Sequence, residues 1–451
     1  MEDRKHKKVF TLLACFAAAN ACGMFAGEPI EATASFSGDW QLDISAKTPS
    51  RTALAASFLI DKPDKVSVKE ERCERLPDFN PAAWQWLKGY VLKRLAAQEA
   101  PVGGALSPNS LRLAASPGAS VYVEGKDYKV DPTWGCVGCL PGGTIPAQGA
   151  VFCSYDYFQQ RLDTVALSAD GTKLLLKRGT PALCQPKPPT LAAGETPVVN
   201  IHVTGNLSKL SQDNVFPILE TSFPATLAAK DAGAAEQLLL KTTRKLRGGG
   251  HLKILAWGDS VTDGGYLPGK GENRWQAQFA ARLKARYPKA DIELVTEAWG
   301  GHNTAQYLAE PPGSPHNYRE KILAAKPDLI ITEFVNDAYL KPDETIERYG
   351  KLLADFKGIG AEWIINTPHY ILPGWMGLKS QRGVDADPRE YVKKLREFAA
   401  KNHVALADAS LRYGRLWRQG IPYMTLMTNS VNHPGPSGMA IFADALINLF
   451  P

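Results

Sequence analysis

At 451 residues the chain exceeds one ordinary hydrophobic core, so two domains are expected. A composition of 44% hydrophobic and 22% charged residues excludes a disordered or fibrous protein. The net charge of +6 is scattered, and no basic stripe interleaved with aromatics points to a nucleic-acid partner.

In chain order, Arg4, Lys5, Lys7 and Lys8 precede an apolar run from Val9 to Ala19, and Ala19-Asn20-Ala21 supplies a small-residue cleavage pattern. Residues 1–21 are therefore expected to be a signal peptide, which places the mature chain in the periplasm or outside the cell. The run is shorter than the ~20 residues a membrane span needs, and no other segment is long and apolar enough. Cys22 follows the cleavage pattern, but Ala19-Asn20-Ala21-Cys22 matches a lipidation signal poorly. Beyond it lie Cys73, Cys136, Cys139, Cys153 and Cys184. Disulfides are the default for an exported chain. Zinc is the rival at Cys136-x-x-Cys139, whose ligand spacing Cys153 and Cys184 do not repeat. No metal or cofactor is expected.

Residues 31–205 read as a β-rich accessory domain with disulfides. Val165 to Leu176 sets Asp170-Gly171 between two apolar runs, a hairpin signal, and Ser120–Val130 and Val198–Val203 read as strands. One helix is expected, Pro81 to Gln98, from the spacing of Trp84, Leu87, Val91, Leu92 and Leu95. Trp84, Trp86 and Tyr90 are either a sugar-stacking platform or a widened buried face, and the second is the plainer reading. Gln185 to Pro197 is punctuated by prolines like a linker. Residues 206–250 read as a connector that ends in a basic, glycine-capped helix.

Residues 251–451 change rhythm. Apolar runs at Leu252–Trp257, Ile292–Ala298, Leu329–Phe334, Trp363–Asn366 and Val404–Ala407 read as parallel strands buried on both faces. Helical patterns lie between and after them, at Arg274–Arg286, Tyr318–Ala325, Asp343–Phe356, Pro388–Lys401 and Ser437–Leu449. The expected fold is α/β: a three-layer α/β/α sandwich on a five-stranded parallel sheet, whose reactive site forms at the carboxyl ends of the strands.

Chemistry-bearing residues fall at those ends. Ser260 follows the first strand in Gly258-Asp259-Ser260, Gly301 the second, and Asn336 the third; His433 precedes the last helix. Acyl transfer needs a nucleophile, a base, and donors aimed at the developing oxyanion. Ser260 fits the nucleophile and His433 the base. The Ser260 and Gly301 N–H groups and the Asn336 amide fit the oxyanion hole.

These four blocks, in this order, resemble the SGNH/GDSL hydrolase superfamily over about residues 250–451. The resemblance implies a flavodoxin-like sheet and a carboxylic ester hydrolase, with Ser260, Gly301, Asn336 and His433 as the catalytic set. Two positions depart from its pattern. Phe334 stands where the third block usually has glycine, and Ser430 where the fourth has the aspartate that orients the histidine. Three readings stay open. His433 acts in a dyad with a neutral orienter such as Ser430; a carboxylate from elsewhere substitutes, with Asp263 and Asp408 the first candidates; or the domain only binds.

The expected activity is removal of O-acetyl or other short acyl groups from a polysaccharide or oligosaccharide. A lipase or lysophospholipase and a degenerate carbohydrate-binding protein are the alternatives. His302, Trp275 and Trp299 are the candidate substrate contacts, with Tyr370 and Trp375 nearby. His302 and His369 otherwise read as polar loop residues that shape the pocket.

Overall fold

The apolar runs of the C-terminal half become a parallel sheet in the computed structural model, which describes residues 29–48, 52–205, 207–269 and 271–451. Its strands are His251–Gly258, Asp291–Ala298, Leu329–Glu333, Glu362–Asn366 and Ala405–Ala407. The second strand in sequence pairs on one side of the first, and the third, fourth and fifth follow on the other. The chain thus reverses direction across the sheet at the first strand, the place where such sheets bind ligands.

Strand alternation divides the core between the two faces. Ile254, Ala256, Leu329, Ile331 and Ile364 point to one face, with Phe279 and Phe442 of helices Trp275–Arg286 and Pro436–Asn448. Leu255, Trp257, Ile330, Trp363 and Ile365 point to the other, with Phe356 and Phe398 of helices Pro342–Gly358 and Glu390–Asn402. These are the three expected layers.

The N-terminal half is built of antiparallel sheets. The Asp170-Gly171 hairpin forms between Arg161–Leu167 and Leu174–Lys177, and Gly171 supplies the left-handed φ of 69° that the turn needs. Strand Val215–Pro217 lies within the stretch read as connector, yet it pairs with Thr196–Val203. Short helices lead on to Leu240–Gly248, which Gly249 caps at φ 71°. Residues 1–21, expected to be a signal peptide, lie outside the described residues. Among the described residues no helix is long and apolar enough to cross a membrane.

Two expectations are corrected. Pro81–Gln98 is not a helix: it holds a 3₁₀ turn at Gln85–Lys88 and the short strands Tyr90–Val91 and Ala96–Ala97. Tyr90–Val91 pairs with Cys136–Cys139, and a Cβ on Gly89 would come within 2.4 Å of the Val137 carbonyl oxygen. Close sheet pairing has overridden the helical spacing of the apolar residues. Nor are the expected disulfides formed among the described residues. Cys73, Cys136, Cys139, Cys153 and Cys184 are free thiols, the first four buried, where burial raises their pKa and leaves them protonated. Among the described residues no group of three or more His, Cys, Asp or Glu is placed to hold a metal ion.

The two halves are joined by specific contacts. Asn200 Nδ2 donates to the Gly420 carbonyl at 2.8 Å, Glu220 pairs with Arg415, and Trp84 packs on Trp375 with ring centroids 4.9 Å apart.

Candidate active site

Gly258 ends the first strand because nothing larger fits. A Cβ there would lie 2.1 Å from Thr262 Oγ1 and 2.3 Å from the Glu333 carbonyl oxygen. Asp259 then caps the short helix Ser260–Asp263, its Oδ1 accepting from Val261 N–H at 3.0 Å. Its other oxygen accepts from Asn336 N–H at 2.9 Å, tying the serine turn to the loop after the third strand. Burial raises the Asp259 pKa to about 7.

Ser260 stands half-buried at the mouth of this turn, its Oγ 3.0 Å from Nε2 of the buried His433. That is hydrogen-bond reach for a nucleophile and its base. Burial lowers the His433 pKa below the ordinary 6.5, so the ring is neutral and able to accept a proton near neutral pH.

The histidine loop is built around Asn429, whose buried Oδ1 accepts from the N–H groups of Val431, Asn432 and His433 at 3.0, 2.9 and 3.0 Å. His369 supports it from below, Nε2 on the Asn432 carbonyl at 2.7 Å; burial pushes its pKa down to about 3, so it stays neutral. The Tyr266 ring stacks on His433 at 4.2 Å, and its hydroxyl donates to the Pro434 carbonyl.

The loops that carry the expected oxyanion donors meet beside Ser260: a Cβ on Gly300 would lie 3.7 Å from Ser260 Cβ, and Asn336 N–H binds Asp259. Gly301 adopts φ 74°, a left-handed value suited to glycine, and a Cβ there would meet nothing within 4 Å. Among the described residues no acceptor takes up the N–H of Ser260 or Gly301. The Asn336 amide makes a long 3.3 Å bond to the His302 carbonyl. Asp337 anchors the same loop by accepting from Thr304 and Tyr349, and burial raises its pKa to about 6. Phe334, in place of a glycine, fills the core against Trp257 with centroids 4.9 Å apart, so this departure affects packing and leaves Asn336 in position.

None of the three residues expected to orient His433 does so. Ser430, at φ 54°, turns its hydroxyl to Cys184 Sγ at 3.1 Å. Asp408 caps helix Ala409–Arg415 and binds the Arg396 guanidinium at 2.8 Å. Asp263 is exposed and accepts from Gly265 N–H. The groups at His433 Nδ1 are Gln98 Oε1 at 3.0 Å and Glu99 Oε1 at 3.2 Å, both from the β-rich half. Nothing in the sequence marks them: Gln98 lies 335 residues from His433, at the end of an apparent helix.

The expected substrate contacts fare unevenly. His302 is half-buried beside Gly301, with Nδ1 on the Gly300 carbonyl at 2.7 Å. Trp299 is sandwiched between His302 and His316, at centroid distances of 3.5 and 4.6 Å, so neither ring face is open to a sugar. Trp275 is fully buried, its Nε1 on Thr262 Oγ1, and Tyr370 is buried as well. Trp275 is thus a core residue. Trp275→Ala is expected to cost about 3–5 kcal/mol of stability, read as a lowered midpoint in denaturant; unchanged stability with a raised KM would return it to the substrate site.

Fold and site together define a doubly wound α/β domain with a Ser–His pair at its strand ends. Residues 256–441 match the GDSL-like Lipase/Acylhydrolase family, and this part of the chain is a domain of that family. No curated protein matches the chain. Similar solved structures include an acetyl-xylooligosaccharide esterase from Geobacillus Stearmophilus, 21% identical over 44% of this chain and 94% of that one, with a TM-score of 0.36. A two-domain esterase active on acetylated mannans is 16% identical over 49% of this chain and 55% of that one, with a TM-score of 0.38. An α/β hydrolase from the metagenome of Lake Arreo, Spain, is 20% identical over 44% of this chain and 96% of its own, with a TM-score of 0.36. Likenesses this distant say nothing of substrate.

Proposed function

We propose that the chain is an exported serine esterase that removes acetyl or similarly short acyl groups from a carbohydrate. The observation that carries this is the 3.0 Å contact of Ser260 Oγ with a neutral, buried His433. Ser260 attacks the ester carbonyl as His433 Nε2 takes its proton. The Ser260 and Gly301 N–H groups and the Asn336 amide receive the oxyanion. His433 gives the proton to the departing sugar oxygen as its bond to carbon breaks, and water then repeats the sequence on the acyl-serine, freeing the acid and Ser260.

A carbohydrate alcohol is supported by the tryptophans where the two halves meet. Trp84 is 55% exposed and packs, tilted, on Trp86 and Trp375, with ring centroids 5.3 and 4.9 Å away; Trp134 lies against Trp86 at 5.1 Å. The exposed Trp84 indole offers an apolar face, with a polar N–H at its edge, on which a sugar ring can stack. Export rests on the leader-like residues 1–21.

With p-nitrophenyl esters, acetate is expected to be turned over with higher kcat/KM than octanoate, and acetate should be released from O-acetylated glycans. A preference for octanoate would overturn the short-acyl reading in favour of a lipase. Absence of ester turnover by folded protein would leave a binding module.

A further inference from the structure

The base of this site is steadied from outside its own domain. Strands Ala96–Ala97 and Ala100–Pro101 form a minimal hairpin whose two-residue turn is Gln98-Glu99. Gln98 takes φ 58°, a left-handed conformation that a non-glycine residue adopts at a cost and that tends to persist where function needs it. The turn delivers both side chains to His433. Gln98 Oε1 lies 3.0 Å from Nδ1 and is held by the Thr428 hydroxyl at 3.2 Å; that hydroxyl also lies 2.9 Å from the His433 carbonyl oxygen. The Glu99 carboxylate lies 3.2 Å from the same nitrogen.

We propose that the Gln98-Glu99 turn is the positioning element of His433. Gln98 accepts the Nδ1–H, and Glu99 supplies the negative charge that an aspartate at position 430 would have brought. The site is then complete only when the β-rich half is docked on the hydrolase domain. This rests on the esterase reading above. When the Ser260 proton passes to Nε2 as the Oγ–carbon bond forms, the imidazolium keeps its Nδ1–H on Gln98, and its charge is offset by Glu99. The proton then leaves with the alcohol as the carbon–oxygen bond breaks, so Glu99 never takes it up.

The other groups around the ring carry no compensating charge. Tyr266, stacked on it, is kept neutral by burial, His369 beneath the loop is neutral, and Ser260 faces Nε2. Glu99 is the one neighbour that raises the His433 pKa, against the lowering by burial. Its side chain is 56% exposed, so water screens the effect and the change on removing it will be modest.

Glu99→Gln should lower kcat by roughly ten- to a hundredfold with little change in KM. The loss is smaller than for a triad aspartate because Gln98 still fixes the tautomer. The acid limb of the kcat/KM profile should move to lower pH, since a charge that favours the imidazolium has gone, and Glu99→Asp should restore part of both. Asp263→Asn should leave the limb in place. In histidine-labelled protein, with the signal assigned by its loss in His433→Gln, the NMR titration of His433 should shift down in Glu99→Gln. That readout needs no turnover, so it decides this proposal even where the esterase reading fails. An unmoved His433 titration and acid limb in Glu99→Gln overturns it, even when kcat falls, as does a limb that moves with Asp263→Asn.

Discussion

Ser260→Ala is expected to lower kcat on p-nitrophenyl acetate by on the order of 10⁴- to 10⁶-fold while leaving the fold intact. Among the described residues the hydroxyl bonds His433 alone, and the turn that carries it is held by other groups. Asp259 bonds Val261 and Asn336, and Gly258 keeps its close fit under Thr262. His433→Ala should cost about as much, and the double variant little more than either single one, because nucleophile and base act as a unit. Additive losses would mean that the two side chains serve separate steps. Steady-state kinetics beside circular dichroism would distinguish lost chemistry from lost structure.

The second large effect is at Asn336. Asn336→Ala should lower kcat by roughly 10²- to 10³-fold, the usual cost of one missing oxyanion donor. The loop should survive, because its ties are the Asn336 backbone N–H on Asp259 and the Asp337 carboxylate on Thr304 and Tyr349, which the variant keeps. The amide itself has only a long 3.3 Å bond to the His302 carbonyl and is free to turn to a developing oxyanion. Asn336→Asp should be worse than Ala, since it sets a negative charge against the one forming. An Asn336→Ala variant with wild-type kcat and raised KM would make the residue a substrate contact and leave the hole to backbone N–H groups alone.

The hydrolase domain was legible because its strands are continuous apolar runs and its helices amphipathic, patterns set locally. Leu252–Trp257 and Leu329–Phe334 fall within a residue of the observed strands for that reason. The four site blocks were legible because three sit just after a strand and the fourth, His433, in the loop before the last helix. Pro81–Gln98 misled because its apolar spacing suits a helix, while its actual partners, Cys136–Cys139 and the His433 loop, are distant in sequence. The same distance hid the partner of His433. The aspartate's absence at Ser430 could be seen, but the pair that meets the histidine came from a segment with no catalytic pattern. Trp275 and Trp299 differ from expectation because a tryptophan near a strand end can as well be core, as Trp275 is, or covered by neighbouring rings, as Trp299 is, and only three dimensions separate these.

Acyl-enzyme trapping tests the central claim most directly. Protein mixed briefly with p-nitrophenyl acetate, quenched in acid and mapped by peptide mass spectrometry should carry one acetyl group on Ser260. The label should be lost with time as water completes turnover, and should never form in Ser260→Ala. Steady ester turnover with no acetyl on Ser260, or with the label on another residue, would contradict the account.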